Sequence, residues 1–532
     1  MRLIYANSEN LEQDTLQAFG GRTHVESVQW GNLYETQNLS NRMYPVLTNR
    51  LPRGIYQEQA LTSPHGLFYK DGLMWADGTS LYFNGDRVGS CSDTDKVFCG
   101  MGAYIIIFPD KMIYNTEDGT LVNMENSWTG TVSFTNSSIV FSSGVTPSEL
   151  GFDQYDGVKI TGSKYDQNNT TPIIYEIRDS DYQLAETAGE DEKVNSFYCT
   201  PNIFKEESNV TITIKREVPD LDYILECDNR IWGCKDHEIF ASALGAPKCW
   251  NRFEGISTDS YTVTVGSEGV FTGCGVALGY VIFFKENCFH KIYGTKPSNF
   301  AAQASQLRGV ASGSSRSVAL VNEVLWYLSK DGMMAYGGST PESIADPFGQ
   351  VRYENAVSGG VSGKLYVSMQ DVSNQEWGLY CYDIAKQFWQ KEDNTHALFF
   401  ASSGRELYYV DAADKKIKTV SGDLDEQISW TAEFGDMTDG VLSFKTIERL
   451  YLNLWLDEGT TCTVWVRYQT DESWSSQITV TGDSRRRTKV VPILPRRYTQ
   501  FALKLTGTGD FKLYGITRFL EAGTELSGGD KP

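Results

Sequence analysis

Histidine is nearly missing from this chain: five occur in 532 residues, at His24, His65, His237, His290 and His396. They fall in separate segments without HExxH or HxH spacing, and the ten cysteines form no CxxC pair. A metal site needs convergent ligands, so no metal and no cofactor is expected. His237 and His290 read as ordinary hairpin residues. Single cysteines inside apolar bursts behave as small buried hydrophobes and fit a reducing compartment. Cys227 and Cys234 share one hairpin, but free thiols are the expectation there too. Long apolar runs are also absent. Tyr104–Phe108 is among the longest, far short of the roughly 20 residues that span a bilayer. The leading segment MRLIYANSENLEQD has no sustained apolar stretch, so neither a secretory signal nor an integral membrane segment is expected. No GxxxxGK[ST], no strand-to-helix GxGxxG and no GxSxG occurs. Helix signals are scarce; AFGGRTH and ESIADPFG offer single turns at most.

Positive charge is in deficit. Lys and Arg number 47 against 68 Asp and Glu, for a net charge of −21. That excludes a protein that wraps nucleic acid by broad phosphate neutralisation. It permits DNA to pass without sticking, and it keeps a large protein soluble.

What is present is a repeated phrase: an apolar burst, a polar turn, and a second burst ending on an aromatic. It reads LFYKDGLMWADGTSLYF at 67–83, YIIIFPDKMIY at 104–114, ILECDNRIWGC at 224–234, YVIFFKENCFHKIYG at 280–294 and VLWYLSKDGMMAYGG at 324–338, with weaker versions at 364–382 and 398–410. Each phrase predicts two strands joined by a tight turn. Spaced repetition of such units predicts an all-β chain built on a β-propeller of about seven blades.

The rhythm breaks over 128–217, where TGTVSF, SSIVFSS, DGVKITGS, TPIIYEI and NVTITIKREV give different strands. The last alternates strictly, with Val210, Ile212 and Ile214 on one face. This predicts a small inserted β-barrel or sandwich between propeller segments 59–127 and 218–422. Beyond 423, longer alternating strands predict a C-terminal β-sandwich over 423–532. Residues 1–58 lack periodicity. NLSNRMYPVLTNRLPRG reads as an ordered arm docked through Tyr44, Pro45, Arg50 and Arg53.

Chemistry-bearing patterns are few. Propeller glycosidases need paired carboxylates, and no acidic pair is singled out, so no catalytic site is expected. Arg485, Arg486 and Arg487, followed by Arg496 and Arg497, stand out against the acidic background. They predict a loop that meets an acidic neighbouring subunit or passing DNA. Trp474, in DESWSSQ, is the best candidate for stacking on a glycan.

The arm, the insert run through NVTITIKREVPDLDYILECDNRIWGC, and the run EIFASALGAPKCWNRFEGISTDSYTVTVGSEGVFTG resemble a family of tailed-phage virion proteins, described as stabilisation or tail proteins. The joint NRIWGC…EIFAS…W…F is the most distinctive part. The architecture also resembles the tail nozzle or hub proteins of short-tailed phages. The resemblance implies a non-enzymatic structural subunit in the virion tail, made in the host cytoplasm. Its implied partners are copies of itself in a hexameric ring, neighbouring tail, adaptor, portal and fibre proteins, and, transiently, phage DNA. The alternative expectation is a host-surface glycan-binding module, and behind it a propeller glycosidase.

Overall fold

The computed structural model describes residues 11–25, 28–179, 195–424, 427–438, 444–469 and 471–522. The first ten residues, part of the segment read for a signal, lie outside the described residues. The chain is all-β, a propeller-like succession of small antiparallel sheets, and divides into two compact units. One holds residues 62–312 and 337–340; the other holds residues 1–61, 313–336 and 341–532. Among the described residues no helix is long and apolar enough to cross a membrane.

The repeated phrases are paired strands, as their pattern predicts. Each belongs to a four-stranded meander, and there are seven such sheets among the described residues. The first unit carries four, over 64–90, 97–123, 223–264 and 271–305; the second carries three, over 319–343, 353–393 and 397–419. The last of these has only three local strands. Gly54–Gln57, from the far end of the sequence, supplies its fourth by pairing with Ile417–Thr419.

Turn chemistry explains why the strands double back. Asp228–Asn229, Leu278–Gly279, Asn322–Glu323 and Ser362–Gly363 are two-residue turns with both φ values positive. That geometry matches the twist of the strands it joins. A wider tip recurs at Asn115, Asp371, Asp383 and Asp411, whose carbonyls accept the N–H four residues on at 2.7–3.0 Å. The closing residues Gly119, Gln375, Gln387 and Lys415 all take positive φ.

The segment that breaks the rhythm forms one six-stranded sheet, in the order Lys159–Thr161, Glu207–Arg216, Asn126–Phe134, Ser138–Phe141, Ser196–Cys199, Ile174–Arg178. Ile212 and Ile214 point into its core with Phe141, Phe152 and Phe197. Thr211 and Thr213 point out, their hydroxyls meeting Thr131 and Thr129 at 3.4 and 2.9 Å. The two edges are joined through residues 155–158. Tyr155 N–H donates to Ile174 O, Ile174 N–H to Asp156 O, and Val158 N–H to Pro172 O, at 2.6, 3.0 and 3.0 Å.

In the second unit, two larger sheets share one core that includes Trp430, Phe434, Leu452, Leu503 and Phe511. One has seven strands around Lys445–Leu456 and Phe511–Ala522; the other has five around Phe501–Thr508. The described residues before 58 are docked. Leu11–Leu16 and Leu47–Asn49 pair with Phe511–Ala522, and Glu35–Gln37 pairs with Ser429–Met437. Arg53 grips Glu392 and Asp393 at 2.9 and 2.7 Å, and Arg50 reaches Asp393 at 3.4 Å. Tyr44 and Pro45 lie exposed, so the buried arginines, more than the aromatic tip, hold the arm.

All ten cysteines are free. Cys227 stands opposite Arg230 and Cys234 opposite Tyr223, a register that keeps the two thiols apart.

Candidate functional site

The site lies within the unit of residues 62–312 and is organised by a loop. Between Glu238–Ala241 and Tyr261–Thr264 the chain leaves the third meander for residues 242–260. A loop this long needs partners for its backbone groups. Arg230, only 3% exposed, supplies three, donating to the carbonyls of Ser242, Ser257 and Asp259. Asp259 accepts the N–H groups of Glu254, Gly255 and Ile256 at 2.7, 2.6 and 3.1 Å. Trp250 Nε1 donates to Pro247 O at 2.9 Å. The loop is therefore a fixed wall.

Against it runs a cleft of about 520 Å³. The second meander contributes Tyr104, Asn115, Asp118 and Thr120; the segment that closes the six-stranded sheet contributes Asp153–Asp156; the loop contributes Leu244–Cys249 and Arg252. Tyr155 is the unusual member. Its φ is +70° and its side chain is 44% exposed. A non-glycine residue in the left-handed region costs about 1 kcal/mol or more and persists only where its surroundings impose it. Here Ile174 O holds its N–H, and its own carbonyl accepts Cys249 Sγ at 3.5 Å. Arg252 stands over its ring at 5.0 Å. Tyr104, also exposed, lines the same cleft.

The carboxylates differ in character. Asp118 accepts from Thr120 Oγ1 and N–H at 2.6 and 2.9 Å, which holds it below the usual carboxylate range. Burial pushes Asp156 above that range, although Arg216 at 2.6 Å pulls the other way. Asp153 shares Arg216 at 3.3 Å and takes Lys248 at 3.1 Å. No group of three His, Cys, Asp or Glu among the described residues is arranged to hold a metal ion.

A second hollow of about 430 Å³ lies along the same loop, lined by Thr171, Tyr175, Thr200, Asn251, Phe253 and Glu254. Phe253 is 61% exposed. The Tyr175 hydroxyl donates to Glu254, a bond that, with burial, raises its pKa to about 12.

None of the residues singled out from the sequence lines this cleft. Arg486 and Arg487 sit on a strand, Arg486–Val491, with Arg485 at its mouth, where the sequence predicted a loop. Arg487 pairs with Asp483 at 2.5 Å and Arg496 with Asp471 at 2.8 Å; Arg497 lies in a two-residue strand against Lys445–Thr446. Trp474 is half-buried, with Arg467 and Lys504 over its ring at 4.8 and 4.2 Å. Sequence reasoning missed Tyr155, Asp156 and Asp259. A signal existed for the brace: the joint NRIWGC…EIFAS…W…F contains Arg230, Ser242, Trp250 and Phe253, the residues that build the wall.

No family model matches the chain, and no curated protein does. Among solved structures, the exo-β-1,3-galactanase of Phanerochaete chrysosporium with galactose is 9% identical, with 56% of this chain and 94% of that one covered and a TM-score of 0.21. An engineered GH43 glycoside hydrolase with endo-xylanase and exo-arabinofuranosidase activity is 8% identical, over 57% and 97%, at 0.19. Hsv2 of Kluyveromyces lactis is 9% identical, over 64% and 98%, at 0.25. The expectation of a non-enzymatic phage tail subunit is set aside: the matches named here include glycan-cleaving enzymes and give it no support. Paired carboxylates that come from distant strands leave no local spacing, so a missing motif does not exclude them. At this distance the likeness gives the chain no activity of its own.

Proposed function

We propose that this chain binds carbohydrate in the cleft between the second meander, the segment 153–156 and the loop 242–260. The observation that carries the reading is Tyr155, an exposed ring displayed from a strained backbone position inside a walled cleft. A sugar offers an apolar ring face and a rim of hydroxyls. Tyr155 and Tyr104 present aromatic surface for the first. Asn115, Asp118, Gln154 and Lys248 present hydrogen-bonding groups for the second. In this reading the seven meanders are the blades of a propeller, the six-stranded sheet is its inserted β-domain, and the two larger sheets form a sandwich.

The test is retention on a panel of immobilised oligosaccharides, followed by calorimetry on any hit. Tyr155→Ala is expected to weaken binding about tenfold or more, and Tyr155→Phe to keep most of it. A panel with no hit, or a hit bound equally by Tyr155→Ala, sinks the reading. Hydrolysis is the second reading, favoured by the placement of Asp118, Asp153 and Asp156 along one cleft, where burial raises Asp156 above the usual carboxylate range as a general acid requires. New reducing ends on incubation with the bound glycan, lost in Asp156→Asn, would support it.

A further inference from the structure

We propose a second binding surface, independent of the cleft: the outer face of the seven-stranded sheet takes an anionic polysaccharide. Along Lys445–Leu456, the leucines 450, 452, 454 and 456 enter the core, so Tyr451, Asn453 and Trp455 face outward. The pairing register sets Trp455 between Arg486 and Lys512, Asn453 beside Thr488, and Tyr451 between Val490 and Thr517. One row further, Arg449 stands opposite Phe519. Neighbouring strands lie about 4.8 Å apart, so Arg486, Trp455 and Lys512 form one row of the half-exposed face and Arg449 and Phe519 another, with the exposed carboxylate of Glu521 two residues beyond Phe519.

Among the described residues the cations are set in place and left without a counter-ion. Arg486 lies over the Tyr514 ring at 3.9 Å, and its Nε donates to Asn453 Oδ1 at 2.8 Å. That fixes the guanidinium while its other N–H groups have no partner among the described residues. Lys512 stands over Trp455 at 4.6 Å. Neither these two nor Arg449 has a carboxylate partner among the described residues. The five-stranded sheet of the same unit makes the contrast. There Arg467 is matched by Asp436 at 3.0 Å and Lys504 by Glu433 at 4.0 Å. In a chain of net charge −21, unmatched cations on one face call for a negative partner.

The rings favour a saccharide over single-stranded nucleic acid. Base stacking needs open ring faces. Here the Tyr514 and Trp455 rings already carry Arg486 and Lys512, which offers charged edges to carboxylate or sulfate groups along a sugar polymer.

The test uses the full chain with polygalacturonate as the carboxylated probe, dextran sulfate as the sulfated probe, neutral dextran as control, and an oligothymidylate as the nucleic-acid arm. At least one charged polysaccharide is expected to bind and neutral dextran not to. Affinity should fall about tenfold or more as salt rises from about 50 to 200 mM, because released counterions drive such contacts. The double variant Arg486→Ala/Lys512→Ala should lose about tenfold in affinity, and Arg449→Ala about threefold. Arg467→Ala, on the opposite sheet, should lose nothing. Melting temperatures near that of the parent show that the variants fold. The proposal is overturned if neither charged polysaccharide binds, if the double variant and Arg449→Ala both bind as the parent does, or if oligothymidylate binds more tightly than both polysaccharides.

Discussion

Asp393 shows how a single carboxylate can hold an arm of the chain in place. Burial works against its charge, but Arg53 and Arg50 outweigh that and hold its pKa at about 2. An unfolded Asp titrates near 3.9, so the folded value is depressed. Its stabilisation is complete above about pH 4 and is lost as pH falls toward 2. Glu392, beside it, is pushed up by burial, which opposes part of that slope. The urea midpoint should therefore drop between pH 4 and 2 by the equivalent of about 2 kcal/mol. Asp393→Asn should flatten this dependence. It should also cost about 3 kcal/mol at neutral pH, because it leaves two buried guanidinium groups short of charge. Unfolding curves at several pH values check both.

The cysteines make a second residue-scale case. Eight are buried, and only Cys91 and Cys274 are intermediate. Burial pushes Cys249 up to about 11, and Cys381 and Cys462 up to about 12. A thiol reagent at pH 8 should therefore label the native chain slowly, Cys91 first, and all ten thiols only in denaturant; a native titration of ten would refute this. Singly spaced cysteines within apolar bursts already implied this state from the sequence.

At the scale of elements, the turns were legible because their chemistry is local. Asp228–Asn229 and Ser362–Gly363 tolerate positive φ and sit between alternating apolar runs, which is enough to set a hairpin. The loop 242–260 was not legible, since its order depends on Arg230 reaching three carbonyls that lie 12 to 29 residues further along. Gly157 shows how closely it is fitted. A Cβ there would stand 2.2 Å from Asn251 O, so the sheet-closing segment and the loop touch backbone to backbone. Gly157→Ala should cost about 1–3 kcal/mol and loosen the cleft wall. The readouts are the melting temperature and glycan retention relative to Tyr155→Ala; an unchanged melting temperature would show that the contact gives way freely.

Across the whole molecule, the two ends of the sequence are woven together. Residues before 58 add strands to three sheets whose other strands lie beyond residue 396. Without them, Phe511–Ala522, Ser429–Met437 and Ile417–Thr419 each lose a neighbour and expose an edge that invites aggregation. Deleting residues 1–57 should abolish soluble expression, and co-expressing that segment separately should restore part of it. Soluble yield of the deletion alone, equal to that of the parent, would show that the pairing is dispensable.

The sequence by itself determined the strands, their hairpin order, the interruption after the second meander, the outward threonines of Glu207–Arg216 and the free thiols. These follow from side-chain alternation and turn residues, which act within a few positions. Only the tertiary structure decided where the cleft lies and which charges remain unmatched. Tyr104, Tyr155 and Arg252 come from three segments distant in sequence that line one cleft only in the folded chain. The arginines at 485–487 looked alike in sequence. Pairing with Asp483 neutralised Arg487, while strand register placed Arg486 between an aromatic ring and an amide and left its charge facing outward.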